Sequence, residues 1–279
     1  MGIQEKCLLC SFSSPYFTGK IRDVKATSKI HSDYNLKKKS GDFYKKILAN
    51  HVEEIQSAIG RARKFHNENT LPYDRNGRSL LVNNNYFNYV QEMGKYKDII
   101  SAKVENLAEN LETLIEKDRE KLGDLFNIKD YPSKEELRSK YRVTINFEPV
   151  PSGDNLFLNL ETNEVNKIRG EIEKEVNERI ENAVKELARR LYTVVSHLHE
   201  VLEGDGRVFE STVNNIKSMC ELIPKLNVLD NPDIEAIGKE CMIKLCYFQV
   251  DDLKEEGIIR KTVKEDAEKL AERLKNYFG

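Results

Sequence analysis

The chain has 279 residues, enough to bury a core as one elongated domain or two smaller ones. Only 39% of residues are hydrophobic and 33% are charged, with 14 glycines, 7 prolines and no tryptophan, a balance that argues against a compact α/β enzyme and for long solvated helices. The 45 basic and 47 acidic residues leave a formal net charge of −2, which excludes a global field drawing the protein to nucleic acid or membrane.

The first segment, "KCLLCSFSSPYFTGKIRD", has strand periodicity. Cys7, Leu9 and Ser11 fall on one side and Leu8, Cys10 and Phe12 on the other, with Pro15 ending the run and Gly19 marking a turn. Lys37, Lys38, Lys39, Lys45 and Lys46 form the one dense basic group, read either as a contact for a polyanion or as a solvated loop and helix start. A helix is expected from Gly41, with Asp42 as N-cap. Its stripe is Phe43, Ile47, Leu48, Val52, Ile55, Ile59 and Ala62, at three- and four-residue steps.

The stretch "NTLPYDRNGRSLLVNNNYFNYV" follows, from Asn69 to Val90. "YDRNG" reads as a turn with Gly77 where φ must be positive, and Leu71, Leu80 and Leu81 as a plug over the end of a helix pair. Tyr73, Arg75 and Arg78 could also stack on a base and pair with a phosphate, so the corner doubles as a candidate contact surface. A second helix starts between Asn84 and Tyr86. Ile100, Val104, Leu107, Leu111 and Leu114 follow coiled-coil spacing until Asp118 breaks the seam.

"DYPSKEELRSKY" starts a short helix with a capping box of Ser133 and Glu136. Tyr141, Val143, Ile145 and Phe147 then alternate as a half-buried strand, and 155–160 is a candidate return strand. Val165 to Val201 hold one apolar stripe over about forty residues, roughly 60 Å of helix, ending at "EGDGR". Such a helix must bury its stripe. The helices from Asp42 and Tyr86 are the expected partners, and the cover is either intrachain or a second copy. Shorter helices follow: Val208 to Ile223, one started by Asp230 or Asn231 before Pro232, and an amphipathic one from Ile259 to Phe278.

No apolar run approaches the roughly 20 residues that span a bilayer. The N-terminus lacks the basic and apolar regions of a signal peptide, and Lys6 breaks a myristoylation pattern. Five cysteines, an odd number, point to reduced thiols and the cytoplasm. Cys7 and Cys10, in C-x-x-C spacing, read as buried hydrophobes, a redox pair, or half of a zinc site completed by Cys241 and Cys246. His197 and His199 diverge on a helix, and no Glu-x-x-His, H-E-x-x-H, Walker or G-x-S-x-G motif occurs.

Four phrases occur in order: "NTLPYDRNGRSLL", "DYPSKEELRSKY", "EPVPSGDNLFLNL" and "VFESTVNNIKSMCELIPKLNVLDNPDIE". Together, from Cys7 to Ala236, they resemble an uncharacterised family of bacterial and phage proteins known as a domain of unknown function. Members often carry tryptophan where this chain has Tyr73, and a Phe-Arg pair near Phe157; the sequence departs at both. Genes of that family often stand beside a MoxR-type AAA+ ATPase and a von Willebrand factor A protein. The resemblance therefore implies a partner of an ATP-driven remodelling machine and no catalytic residues.

The expected fold is mainly α, an elongated antiparallel helical bundle or coiled coil with a small antiparallel sheet. Residues 1–205 form the bundle and 206–279 a helical C-terminal region. The expected function is that of a non-catalytic adaptor in the cytoplasm of a bacterial host cell, working with an AAA+ ATPase and a von Willebrand A partner. The alternative is a phage protein that binds or sequesters nucleic acid or a nucleotide. Neither reading calls for a cofactor or metal, and the long stripe raises homo-oligomerisation.

Overall fold

The computed structural model of the chain describes residues 2–37, 40–155, 161–204, 207–253 and 257–278. In chain order the elements are α1 (Ile3–Lys6), β1 (Cys7–Ser13), β2 (Lys20–Arg22), α2 (Val24–Asp33), β3 (Tyr44–Lys46), α3 (Ala49–Glu68), β4 (Leu71–Pro72) and β5 (Arg78–Val82). Then come α4 (Tyr86–Glu109), α5 (Leu111–Leu122), α6 (Lys134–Lys140), β6 (Thr144–Pro149), α7 (Thr162–Glu203), α8 (Glu210–Leu226), α9 (Pro232–Leu245) and α10 (Ile258–Lys275). The fold is mainly helical, with a small sheet whose pairs β1–β5 and β4–β5 are antiparallel. The chain forms two compact units, the first made of Met1–Ser11, His66–Tyr89 and Asn146–Gly279, the second of Phe12–Phe65 and Val90–Ile145. These units divide the chain elsewhere than at residue 205.

In the first unit the sheet runs β4-β5-β1-β6, with Cys7 opposite Val82 and Ser11 opposite Arg78. The two segments read as strands, around Leu8 and around Ile145, are neighbours in this sheet, since β6 lies beside β1. The strand next to β1 on its other side is β5, inside the stretch read as a helix-capping corner. The expected return strand at 156–160 lies outside the described residues. Leu71 and Leu80 do not plug a helix pair: with Cys7, Leu9 and Val82 they join the core of α7 and α8.

α7 is the 42-residue helix that its stripe demands, about 63 Å long. Val176, Ile180, Val184, Leu187, Leu191, Leu198 and Leu202 are buried along it. Its stripe packs on α8 and α10; the helices from Asp42 and Tyr86, the expected partners, bury their stripes in a core of their own. The cover comes from within the chain past Leu187, because the C-terminal helices carry stripes of their own: Ile216 and Ile223 on α8, Val263, Ala267, Leu270 and Leu274 on α10. Asn231 caps α9, its side chain accepting from the N–H groups of Asp233 and Ile234.

In the second unit Val52, Ile55, Ile59 and Ala62 of α3 share a core with Ile100, Val104 and Leu107 of α4, Leu111 of α5, and Leu137 and Tyr141. The helix expected from Asp42 begins only at Ala49. Residues 44–46 instead pair with 20–22 in a two-stranded sheet, and Asp42 pairs with Arg22 at 2.7 Å. Ile47 extends that contact by donating its N–H to Gly19 O at 2.8 Å. Gly19 has φ +65°, and a Cβ there would lie 2.7 Å from Ile47 O, so only glycine fits. Leu48, at φ +53°, turns the chain into α3, and its N–H is received by the buried carboxylate of Asp118 at 2.7 Å. Asp118 also accepts the Tyr131 hydroxyl at 3.1 Å, which explains a carboxylate in an apolar seam. Ser133 and Glu136 form the capping box at the start of α6.

Candidate anion-binding cleft

β4 and β5 are joined by a tight turn built on Asp74. Its Oδ1 accepts the N–H groups of Asn76 at 2.9 Å and Arg78 at 3.2 Å, and Gly77 takes the φ of +82° that closes the loop. Tyr73 N–H donates to Arg78 O at 2.9 Å, completing the hairpin. The turn lies alongside α7, and Arg190 Nη1 of that helix donates to Thr70 O at 2.9 Å.

The hairpin and α7 enclose a cleft of about 590 Å³. Tyr73, Asp74, Arg75 and Asn76 line one wall, and Arg179, Asn182, Lys185, Glu186 and Arg189 the other. Positions 179, 182, 185/186 and 189 are three or four residues apart, so successive turns of α7 present them as a ridge. Tyr73 is 5% exposed and its hydroxyl meets no hydrogen-bonding group among the described residues. The Arg179 guanidinium lies 4.8 Å from the Tyr73 ring centroid, a cation–π contact. Arg179 also pairs with Glu175, and Arg189 with Glu186 at 3.0 Å. Arg75 and Lys185 are exposed and have no acidic partner among the described residues.

Arg78 is committed elsewhere. It holds Asp74 Oδ2 at 2.6–2.7 Å, reaches Glu148 at 3.5 Å and sits 5.8 Å from the Tyr73 ring centroid. Burial would raise the Asp74 carboxyl, but the Arg78 hydrogen bonds outweigh it and hold it below the usual range. Tyr73, enclosed as it is, cannot stack on a base; its ring lies against the Arg179 guanidinium instead. Arg75 alone of the three corner residues offers a free charge.

The lysine group is not one surface. Lys38 and Lys39 lie outside the described residues. Lys45 is buried, with Asp130 at 2.7 Å, Asp23 at 3.2 Å and Leu125 O at 2.6 Å, so a polyanion cannot reach it. Burial alone would lower its ammonium, but Asp130 and Asp23 outweigh that and hold it above the ordinary lysine value. Lys37 and Lys46 are exposed, and Lys46 pairs with Glu53 at 3.1 Å.

Sequence reasoning missed Arg179, Asn182, Lys185 and Arg189. The signal was a repeat of cationic and amide side chains on one face of α7, hidden among glutamates that made the face look merely solvated.

Four of the five thiols, Cys7, Cys10, Cys241 and Cys246, are raised, and Cys220 is lowered by its hydrogen bond with Cys241. Burial pushes Cys7 to about 11, and burial, against a hydrogen bond with Tyr89, pushes Cys10 to about 12. Cys241 neighbours Cys220, with its thiol raised by that hydrogen bond and by burial. Among the described residues no group of three or more His, Cys, Asp and Glu side chains is placed to hold a metal ion. No protein-family model matches the chain, and neither a curated protein nor a solved structure shows significant similarity to it.

Proposed function

We propose that this chain is a non-catalytic binding protein whose ligand is a phosphate-bearing group, on a nucleotide or nucleic acid, held in the cleft between the Tyr73 hairpin and α7. The observation that carries the reading is the convergence of Arg75, Arg179, Lys185 and Arg189, from two distant segments, on one cleft where acids neutralise only part of their charge. A guanidinium engaged by an aromatic ring through its π face keeps N–H donors for phosphate oxygens. The test is calorimetric titration of the whole protein with inorganic phosphate and with nucleoside mono- and triphosphates at low salt. Binding that weakens with salt is expected, and Arg179→Ala should weaken it about tenfold, the loss of one charge-assisted hydrogen bond. Flat titrations at millimolar ligand would end the reading.

A second reading, an adaptor for an AAA+ ATPase with a von Willebrand A partner, is supported by apolar side chains that the first unit leaves in solvent. Ile243, Tyr247 and Ile258 are 69%, 79% and 87% exposed. Affinity purification beside its native neighbouring genes tests this. Failure of such an ATPase to co-elute would count against the adaptor and leave the cleft untouched.

A further inference from the structure

The cleft does not end at Lys185. That side chain also lines a second cavity of about 530 Å³, whose other walls are Lys275 at the end of α10 and Asn276, Tyr277 and Phe278 after it. The two hollows share one cation and so form one track along α7. At each end a guanidinium lies on an aromatic ring: Arg179 on Tyr73 at 4.8 Å, and Arg189 on Phe278 at 5.3 Å, with Phe278 itself edge-on to Tyr192 at 5.3 Å. Between and beyond these stand Arg75, Lys185 and Lys275, exposed and without acidic partners among the described residues. Asp74 and Glu186 are the acids that line the hollows, and Glu175 stands beside Arg179; each of the three is engaged by an arginine.

A mononucleotide would occupy one hollow and leave the other cations idle. The rise from Arg179 to Arg189 is about 15 Å along the helix. A stacked strand advancing about 3.4 Å per phosphate would place roughly four phosphates over that length. Guanidinium groups beside aromatic rings, together with free ammonium groups, are what a sequence-tolerant strand site uses: charge for the backbone and planar groups for the bases. Resting on the reading of the cleft as a phosphate site, we infer that the two hollows together bind single-stranded nucleic acid over about three to five nucleotides. The bases stack on the outer faces of Arg179 and Arg189, and the phosphates pair with Arg75, Lys185 and Lys275.

The experiment is fluorescence anisotropy of the full chain with labelled oligothymidine and oligouridine of two to twelve nucleotides. A duplex of twelve base pairs, thymidine monophosphate and inorganic phosphate serve as competitors. Affinity should rise at least tenfold from the dinucleotide to about five nucleotides and then level off. The slope of log K against log salt should be about −2 to −3 for the longer strands. Lys275→Ala, at an exposed position beyond the first hollow, should weaken the twelve-mer three- to tenfold and leave the monophosphate unchanged. If the monophosphate binds as tightly as the twelve-mer, or Lys275→Ala affects both alike, the track is wrong and the phosphate cleft stands. If the duplex binds as tightly as the single strand, the assignment to single strands is wrong. If nothing binds, both readings fall.

Discussion

His66 is the residue that ties pH to stability in the first unit. It is 5% exposed, and its Nδ1 lies 2.7 Å from the hydroxyl of Tyr89, which is itself fully buried and hydrogen-bonded with the Cys10 thiol. Burial lowers the imidazole to about 4. A folded pKa below the ordinary 6.5 means that the unfolded chain binds the proton more readily. The contribution of His66 to stability is therefore complete above about pH 6.5 and disappears as pH falls towards 4. At about 1.4 kcal/mol per pH unit, that loss is roughly 3 kcal/mol across the window. Urea unfolding at intervals between pH 7.5 and 4.5 should show the decline. His66→Gln should flatten it while lowering stability at pH 7.5 by about 1–2 kcal/mol, through the disturbed Tyr89 partner. Parallel curves for the two proteins would show that other groups carry the dependence.

At the scale of elements, the end of α7 depends on an arginine from another helix. Arg260, near the start of α10, is 9% exposed and donates to Val201 O at 3.1 Å, Gly204 O at 2.9 Å and Leu253 O at 2.7 Å. Two of these are carbonyls at the C-terminus of α7, where the helix has no N–H groups left to offer and where the dipole favours a cation. Arg260→Leu keeps apolar bulk but leaves those carbonyls unsatisfied. We expect a loss of about 2–4 kcal/mol and faster amide exchange in the last turns of α7, measured by denaturation and hydrogen exchange. This contact was invisible in the sequence, because nothing local distinguishes Arg260 from its basic neighbours Lys261 and Lys264. α7 itself was legible, since its stripe runs unbroken from Val165 to Val201, and so were the starts of α6 and α9, since Ser133 and Asn231 act on their own backbone. β3 was misread because Phe43, Ile47 and Leu48 happen to fit helical steps while the chain turns at the positive φ of Leu48. β5 was missed because Leu80, Leu81 and Val82 are buried in succession, which removes the alternation that marks a strand. α2 shows no stripe, burying only Thr27. Of the cleft, Arg75 and the Gly77 turn were legible. The α7 wall was not, because it is joined to them only by the pairing of distant segments.

For the molecule as a whole, the question raised by the long stripe is whether a second copy is needed to cover it. From Val176 to Leu202 the stripe is buried within one chain, by α8 and α10. Burying a leucine contributes about 1.5–3 kcal/mol, so the C-terminal helices remove most of the incentive for pairing through this face. The remaining members, Val165, Ile168 and Ile172, are half-buried, and a few side chains on two turns fall far short of the roughly 800 Å² per partner of a stable interface. With the net charge at only −2, long-range repulsion does little to keep copies apart, so the absence of an exposed stripe has to account for a monomer. We expect light scattering after size exclusion to give the monomer mass from about 5 to 200 μM protein. Ile168→Glu should leave that mass unchanged. A dimer that Ile168→Glu dissociates would place the interface on the first turns of α7. A dimer that survives Ile168→Glu but is lost with Tyr247→Glu would place it instead on the exposed end of α9.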